Sequence, residues 1–287
     1  MASMSAYERA EKLSELSSIG EQAIGRDEAV ARIEELLEDE ELEVRQAAVR
    51  SAMSYPERPD LWTKVLEIGR GEPGPLRTSA LEALGCVVRE GDLAGAGEPD
   101  YAPEHELGEP SGELFADVRA LLLERVADPA SPEEKRAATL ALSALSHEEA
   151  VVSSIAALLE SEELVDRICG LRCAGLSGDG RWEAAIGEAL SEGEPAQVLA
   201  AIEAAGRSER AVTAPLLARI LKGTRQPEEQ RLAAAEALER LGGKLAGPTL
   251  LEAAEAEDDG PVREAAREAL NGLTLLGAEG EGDANDE

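Results

Sequence analysis

The chain has 287 residues and a net charge of −32, and only six of its side chains are aromatic. A protein that grips nucleic acid needs a basic surface and usually aromatic residues that stack on bases, so the composition excludes nucleic-acid binding and disfavours anionic lipid headgroups. With 50 Ala, 39 Leu and 47 Glu, all strong helix formers, it predicts an acidic, all-α protein whose core is built from small side chains.

The first residues and the cysteines predict the compartment. The stretch from Met1 to Glu8 has no basic region followed by an apolar run, so we expect no signal peptide. No apolar run approaches the roughly 18 residues that span a bilayer, so we expect no membrane association. Three Cys in a chain of this length do not suggest a disulfide framework, which favours a reducing compartment. We predict a cytoplasmic protein.

The amino-terminal segment has the pattern of a helix that caps the fold. Residues 4–24 have a helical pattern that opens with Ser5-Ala6-Tyr7-Glu8, a capping box in which a serine and a glutamate three residues later satisfy the first helical amides. We therefore predict an N-terminal capping helix over residues 1–25.

A repeat of about 32 residues follows the cap. The string Val44-Arg45-Gln46-Ala47-Ala48 recurs as Val262-Arg263-Glu264-Ala265-Ala266. Counting the Val as position zero, small residues stand at +3 and +4 and small or aliphatic ones at +7 and +8. The seven zero positions are 44, 76, 134, 166, 197, 230 and 262, and five of the six gaps between them are 31–33 residues.

Each repeat predicts two short helices, A and B. Positions 0, +3, +4, +7 and +8 share one face of a helix, which makes the repeated string a B helix. An A helix precedes it, with an apolar residue at −11 in every copy except the sixth, where Arg219 stands. One such pair cannot bury its apolar face alone, and stacked pairs form a continuous core. We predict a solenoid of about seven two-helix repeats over residues 26–277.

The repeated string (Val/Leu)-Arg-x-Ala-Ala-x-x-Ala-Leu resembles the HEAT-repeat family, and most closely its short, Ala-rich bacterial form, which also occurs in phycobilin-lyase-type proteins. The resemblance covers roughly residues 26–273 and implies a right-handed α-α superhelix whose B helices line a concave partner-binding face. The motif encodes packing, so it indicates architecture and says little about activity. The fifth copy departs from it, with Val198 in place of the Arg.

An arginine stands at +1 in most copies. We expect these side chains to bridge to carboxylates or helix ends of neighbouring repeats, because a regular recurrence is typical of a structural ladder. The residues are Arg45, Arg77, Arg167, Arg231 and Arg263.

The one long gap holds an acidic insertion, which we predict as a loop over residues 89–113. From Glu90 to Glu113 there are eight acidic residues and no Lys or Arg. One interpretation is a clamp over the groove, anchored by Tyr101 and Leu107. The other is a solvated, self-repelling loop.

The B helices also carry the candidate binding residues. Positions +2 and +5 are apolar in copies four to six, and charges of both signs, such as Arg172 at +6, border them. Either these positions form a docking groove for a helix or peptide, or they are buried against the next repeat. The predicted partner-binding residues are Ile168, Leu171, Arg172, Leu199, Ile202 and Leu232.

Metal and catalytic patterns are weak. Cys169 and Cys173 share a helical face, but zinc needs three or four ligands, and both occupy positions where other copies have Ala. The HEAT-repeat enzyme deoxyhypusine hydroxylase binds iron through several His-Glu pairs, whereas the two pairs here, His105-Glu106 and His147-Glu148, stand at unrelated repeat positions. We predict no enzyme, no catalytic residue, no metal and no cofactor.

The preferred interpretation is a non-catalytic scaffold or adaptor that binds a basic or amphipathic segment of another protein. The alternative is a phycobilin-lyase-like or chaperone-like accessory protein that handles a tetrapyrrole or another enzyme's cofactor. We expect a bacterial monomer, and we predict an acidic, disordered tail over residues 278–287.

Overall fold

The computed structural model of the chain describes residues 6–20, 25–98, 109–208, 210–256 and 260–280. These ranges contain fifteen α-helices and no β-strand, which confirms the all-α prediction. After α1, the described helices form seven successive A/B pairs, and each repeated string begins one or two residues after the first residue of a B helix. The repeat read from the sequence therefore matches the helix order.

The chain divides into two compact units, Met1–Ser154 and Ile155–Glu287, and the division falls within α8 (Glu149–Leu159). The helices of unit 1 are α1 (Ala6–Gly20), α2 (Arg26–Leu36), α3 (Leu42–Ala52), α4 (Pro59–Arg70), α5 (Pro75–Ala94), α6 (Gly112–Ala127) and α7 (Pro132–Ala141). The helices of unit 2 are α9 (Leu164–Ser177), α10 (Glu183–Glu192), α11 (Pro195–Arg207), α12 (Ala214–Lys222), α13 (Glu228–Leu241), α14 (Gly243–Glu255) and α15 (Gly260–Gly280).

Each unit has two layers of helices. In unit 1 the A layer is α2, α4 and α6, and the B layer is α3, α5 and α7, with α1 packed on α3 at its open side. In unit 2 the A layer is α10, α12 and α14, and α9, α11, α13 and α15 pack in that order in the B layer. Each helix pair thus buries its apolar face against its neighbours, as the repeat predicts.

Local signals set where several helices begin and end. The Ser131 hydroxyl accepts a hydrogen bond from the Glu134 amide at 3.2 Å, and Pro132 fills the first position of α7, where no amide donor is needed. Ser111 caps α6 in the same way. Helix α5 ends at a glycine cap: Gly95 has a φ of 75°, in the left-handed region that only glycine adopts without cost.

Successive B helices pack closely at a recurrent glycine that the sequence analysis did not identify. Position +9 is glycine in three copies, and each faces the alanine at +7 of the next copy. A β-carbon at Gly175 would lie 2.5 Å from the Cα of Ala204, and one at Gly206 would lie 3.0 Å from the Cα of Ala237. Gly85 makes the same approach to Ala141. Within each unit, the backbones of the helices that these glycines join are therefore in near contact, and we call this line of contact the seam.

Three of the arginines at +1 donate hydrogen bonds to carbonyl oxygens at the ends of helices. Arg77 donates to the carbonyl of Gly71 at 3.0 Å and pairs with Glu134 of the next B helix. Arg167 donates to the carbonyls that follow α8 and to Glu194 of the next repeat at 3.0 Å. Arg231 donates to the carbonyl of Leu221 at 2.8 Å. For Arg77 and Arg167 the predicted bridge to a carboxylate of a neighbouring repeat is confirmed. The helix end that each of the three arginines contacts belongs to its own repeat.

The segment predicted as a loop over residues 89–113 is partly helical. Helix α5 continues to Ala94, and Gly91 lies inside it beside the ring of Phe115, where any β-carbon would overlap the ring. The proposed anchors Tyr101 and Leu107 lie outside the described residues. The division into cap, solenoid and tail remains a prediction.

Both termini also differ in detail from the sequence reading. Helix α15 continues to Gly280, three residues into the predicted disordered tail, and residues 281–287 lie outside the described ranges. The predicted capping box begins at Ser5, which is likewise outside them.

The apolar register of the A helices shifts in some copies. Ile33, Val65, Ile155 and Ile186 at −11 are buried as predicted. In copies three and seven the fully buried residue stands one position earlier, at Leu122 and Leu250, whereas Leu251 is 47% exposed.

Candidate functional site

The structure separates the two sets of predicted groove residues. The +2 residues Ile168, Leu199 and Leu232 are half-buried on α9, α11 and α13. The +5 residues Leu171 and Ile202 are only 1% and 0% exposed. A partner can reach the first set and not the second, so the prediction of Leu171 and Ile202 as partner-binding residues is wrong.

Helix geometry explains this separation. At 3.6 residues per turn, positions −1, +2, +6 and +10 lie within about 80° of the helix circumference, and +5 lies about 60° outside that sector. Position +5 therefore faces the packed interior of the B layer. In the last copy it carries Arg267, which is exposed because no further repeat covers α15 within the described residues.

We call the outward sector of the three helices the B face. It is made of the residues at −1, +2, +6 and +10 of α9, α11 and α13. On α9 these are Val165, Ile168, Arg172 and Leu176; on α11 Ala196, Leu199, Glu203 and Arg207; on α13 Glu229, Leu232, Glu236 and Arg240. Two of them are apolar residues that the sequence reading did not select: Val165 is 51% exposed and Leu176 is 36% exposed. The 3.6-residue period from Ile168 would have identified both.

Charged pairs cross the B face beside the apolar row. The guanidinium Nε of Arg172, a predicted partner-binding residue, lies 4.0 Å from Oε2 of Glu203 on the next helix, and both side chains are about half exposed. Glu236 and Arg240 form a second pair at 3.9 Å on α13. Pairs this exposed contribute little stability, so they remain able to exchange partners.

The corresponding surface of unit 1 is polar. Its +2 residues are Gln46, Thr78 and Arg136, and the amide of Gln46 donates to Ser79 at 3.1 Å. A groove of about 490 Å³ runs past Gln46, Thr78 and Glu82. Along the described B helices, an apolar +2 row is thus confined to unit 2.

The three cysteines show no arrangement for metal binding. Cys173 and Cys86 are buried, whereas Cys169 is half-exposed and not fully buried as its repeat position suggested. Contact with Cys169 and burial raise the pKa of the Cys173 thiol, and burial raises the pKa of Cys86. Among the described residues, no group of three or more His, Cys, Asp or Glu could hold a metal ion.

This environment predicts the thiol reactivity of the native protein. Because the thiolate is the reactive form and two of the thiols are buried, we expect titration with a disulfide reagent to modify Cys169 alone in the first phase. All three thiols should react after denaturation. Two or three thiols reacting equally fast in the native protein would contradict the described packing.

Of the two His-Glu pairs, the structure describes only His147-Glu148. His147 is exposed, and the neighbouring Glu148 accepts a hydrogen bond from Nε of Arg119 at 2.7 Å. His105-Glu106 lies outside the described residues. In the part of the chain that the structure describes, no helix has the length and apolarity needed to cross a membrane.

Comparison with known proteins supports the repeat. Residues 183–271, from the start of α10 into α15, match the family model of HEAT repeats. This confirms the predicted HEAT-repeat resemblance; its phycobilin-lyase-type qualifier remains a prediction. No curated protein matches the sequence.

One of the solved structures that resemble the chain is an enzyme, human deoxyhypusine hydroxylase in complex with glycerol. The two are 17% identical with a TM-score of 0.40, and the alignment covers 94% of this chain and all of that one. This finding overturns the prediction that the chain is not an enzyme. At this level of similarity the neighbour's activity does not carry over, so no reaction is assigned.

Proposed function

We propose that the HEAT-repeat helices of unit 2 bind a partner protein through the B face, and that the bound part is an amphipathic segment. The observation that carries this proposal is the row of half-buried Ile168, Leu199 and Leu232 on three successive helices. Repeat proteins of this class use extended surfaces of stacked helices for binding.

The distribution of apolar residues supports a binding role for this row. In the other four copies, position +2 carries Gln46, Thr78, Arg136 or Glu264, so packing does not require an apolar residue there. The exposed Val165 and Leu176 on α9 add to the apolar surface of this row, and apolar surface on a strongly charged protein marks interaction sites. Around them the charged pairs supply the polar rim that such interfaces have.

Replacing two residues of the row tests the proposal. We expect Ile168→Glu combined with Leu232→Glu to weaken capture of the partner by at least about tenfold, because a carboxylate would then be buried in an apolar contact. The measurement is quantitative mass spectrometry of proteins retained by the immobilised chain, wild type against variant, from an extract of the source cell.

Substitutions away from the B face, in the turn Ala211–Thr213 and on α14, control for nonspecific effects. Val212 is 60% exposed and Leu251 is 47% exposed, and neither lies on the B face. Val212→Glu with Leu251→Glu should leave capture unchanged. A third variant, Val165→Glu, alters the B face at a more exposed position and should weaken capture without changing the urea midpoint. Equal loss in both double variants, or no loss in the first, would contradict the proposal.

A further inference from the structure

We infer that the segment bound by the B face is an amphipathic α-helix with three apolar residues seven positions apart and basic residues at its carboxyl end. This inference rests on the proposed function and specifies its partner. It follows from the spacing of the apolar row and from the uneven charge along the face.

The spacing favours a helix over an extended strand. The row places one apolar side chain at the same position of each of three helices that pack side by side, so neighbouring anchors stand about 8–10 Å apart. A helix presents residues i and i+7 on one face about 10.5 Å apart. A strand repeats its face every 6.8 Å or so, so in the middle and upper part of the range of anchor spacings its third same-face residue falls short of the third anchor by more than the third residue of the helix overshoots it.

The charge gives the bound helix a direction. At the α9 end, Val165 and Leu176 widen the apolar surface, and the one cation, Arg172, is already close to Glu203. At the opposite end, α13 and α15 carry exposed carboxylates at positions −1, +2 and +6 of their repeats, on Glu229, Glu264 and Glu268. A complementary segment therefore carries its basic residues beyond its third apolar residue.

The basic end fits the carboxyl terminus of the bound helix. Lys and Arg in the last turn are stabilised by the partial negative charge of the helix end. The bound helix then runs with its amino end over α9 and its carboxyl end over α13 and α15. The acidic overall charge of the chain, −32, speeds the approach of such a basic end.

A peptide titration tests the inference. The probe is a labelled helical peptide with Leu at three positions seven residues apart and Lys in its last turn, and the readout is fluorescence anisotropy on the full-length protein. The first control is an isomer with the same composition and Leu every five residues, which spreads the Leu side chains around the helix. The second control moves the Lys residues to the first turn.

We expect the heptad peptide to bind at least about tenfold more tightly than the five-residue isomer, because only it presents all three Leu together. Moving the Lys residues should weaken binding several-fold, and Glu264→Gln with Glu268→Gln should weaken the original peptide to a similar extent. Raising the salt concentration should reduce that difference, since exposed charges are screened.

Three results would overturn the inference: no saturable binding, equal affinity of the heptad peptide and its isomer, or binding that survives Ile168→Glu with Leu232→Glu. Self-association of the protein that this double variant abolishes would assign the face to a second copy instead. If the natural partner depends on the B face while the heptad peptide does not bind, the inference fails and the proposed function stands. If capture does not depend on the B face, the proposed function itself fails.

Discussion

Glu134→Gln is expected to reduce the free energy of unfolding of the protein by about 3–5 kcal/mol, because it removes one partner of a buried ion pair. Oε2 of Glu134 accepts a hydrogen bond from Nη2 of Arg77 at 2.5 Å, and the two side chains are 3% and 6% exposed. Nε of Arg125 lies 3.4 Å from the other carboxylate oxygen. The glutamine would leave the Arg77 guanidinium buried without a counter-charge.

The measurement is urea-induced unfolding, followed by far-ultraviolet circular dichroism and by the fluorescence of the two buried tryptophans, Trp62 in unit 1 and Trp182 in unit 2. Glu67→Gln is the matched control, since Glu67 pairs with Arg70 at 2.9 Å on the surface and should contribute less than about 1 kcal/mol. A loss below 1 kcal/mol for Glu134→Gln would show that the buried pair is not formed as described.

Gly175→Ala is expected to destabilise the protein by about 1–3 kcal/mol, although alanine is the better helix former by about 1 kcal/mol. The added β-carbon would meet the backbone of Ala204 at 2.5 Å, and a backbone atom held in a neighbouring helix cannot move aside as a flexible side chain can. The B helices would have to separate along the seam.

Gly187→Ala on α10 is expected to have the opposite effect and to raise the free energy of unfolding. A β-carbon there would meet only Cδ1 of Leu216 at 3.7 Å, an ordinary van der Waals contact. Helix propensity should then dominate, and the variant should gain about 0.5–1 kcal/mol. Chemical denaturation of both variants side by side decides the question. A Gly175→Ala protein as stable as Gly187→Ala would contradict the close seam.

The repeat was readable from the sequence because it reflects packing that each copy must satisfy. Position +5 is apolar or small, or a threonine, in six copies and buried in all of them, from Val49 to Ala235. Position +2 is apolar only in copies four to six and stays half-buried. An apolar position shared by nearly all copies therefore indicates core, and one confined to a few adjacent copies indicates surface. Comparison across copies would have separated Leu171 and Ile202 from the site.

The missed features depend on contacts between residues distant in sequence. Gly91 and Gly95 both lie in the segment predicted as a loop, but Gly91 lies inside α5 and contacts Phe115, whereas Gly95 ends the helix. The +9 glycines carry a weak periodic signal of their own at residues 85, 175 and 206. Only the facing alanine of the next copy reveals why they are small.

Site-specific photo-crosslinking tests the central claim, that the B face binds the partner, most directly. A photoreactive amino acid replaces Leu199 at the centre of the B face or, as the control, Leu251 on α14, and each protein is irradiated with the partner that the wild-type chain captures. The account predicts a covalent adduct from position 199, mapped to an amphipathic helical segment of the partner, and none from position 251. An adduct from position 251 with none from position 199 would contradict it.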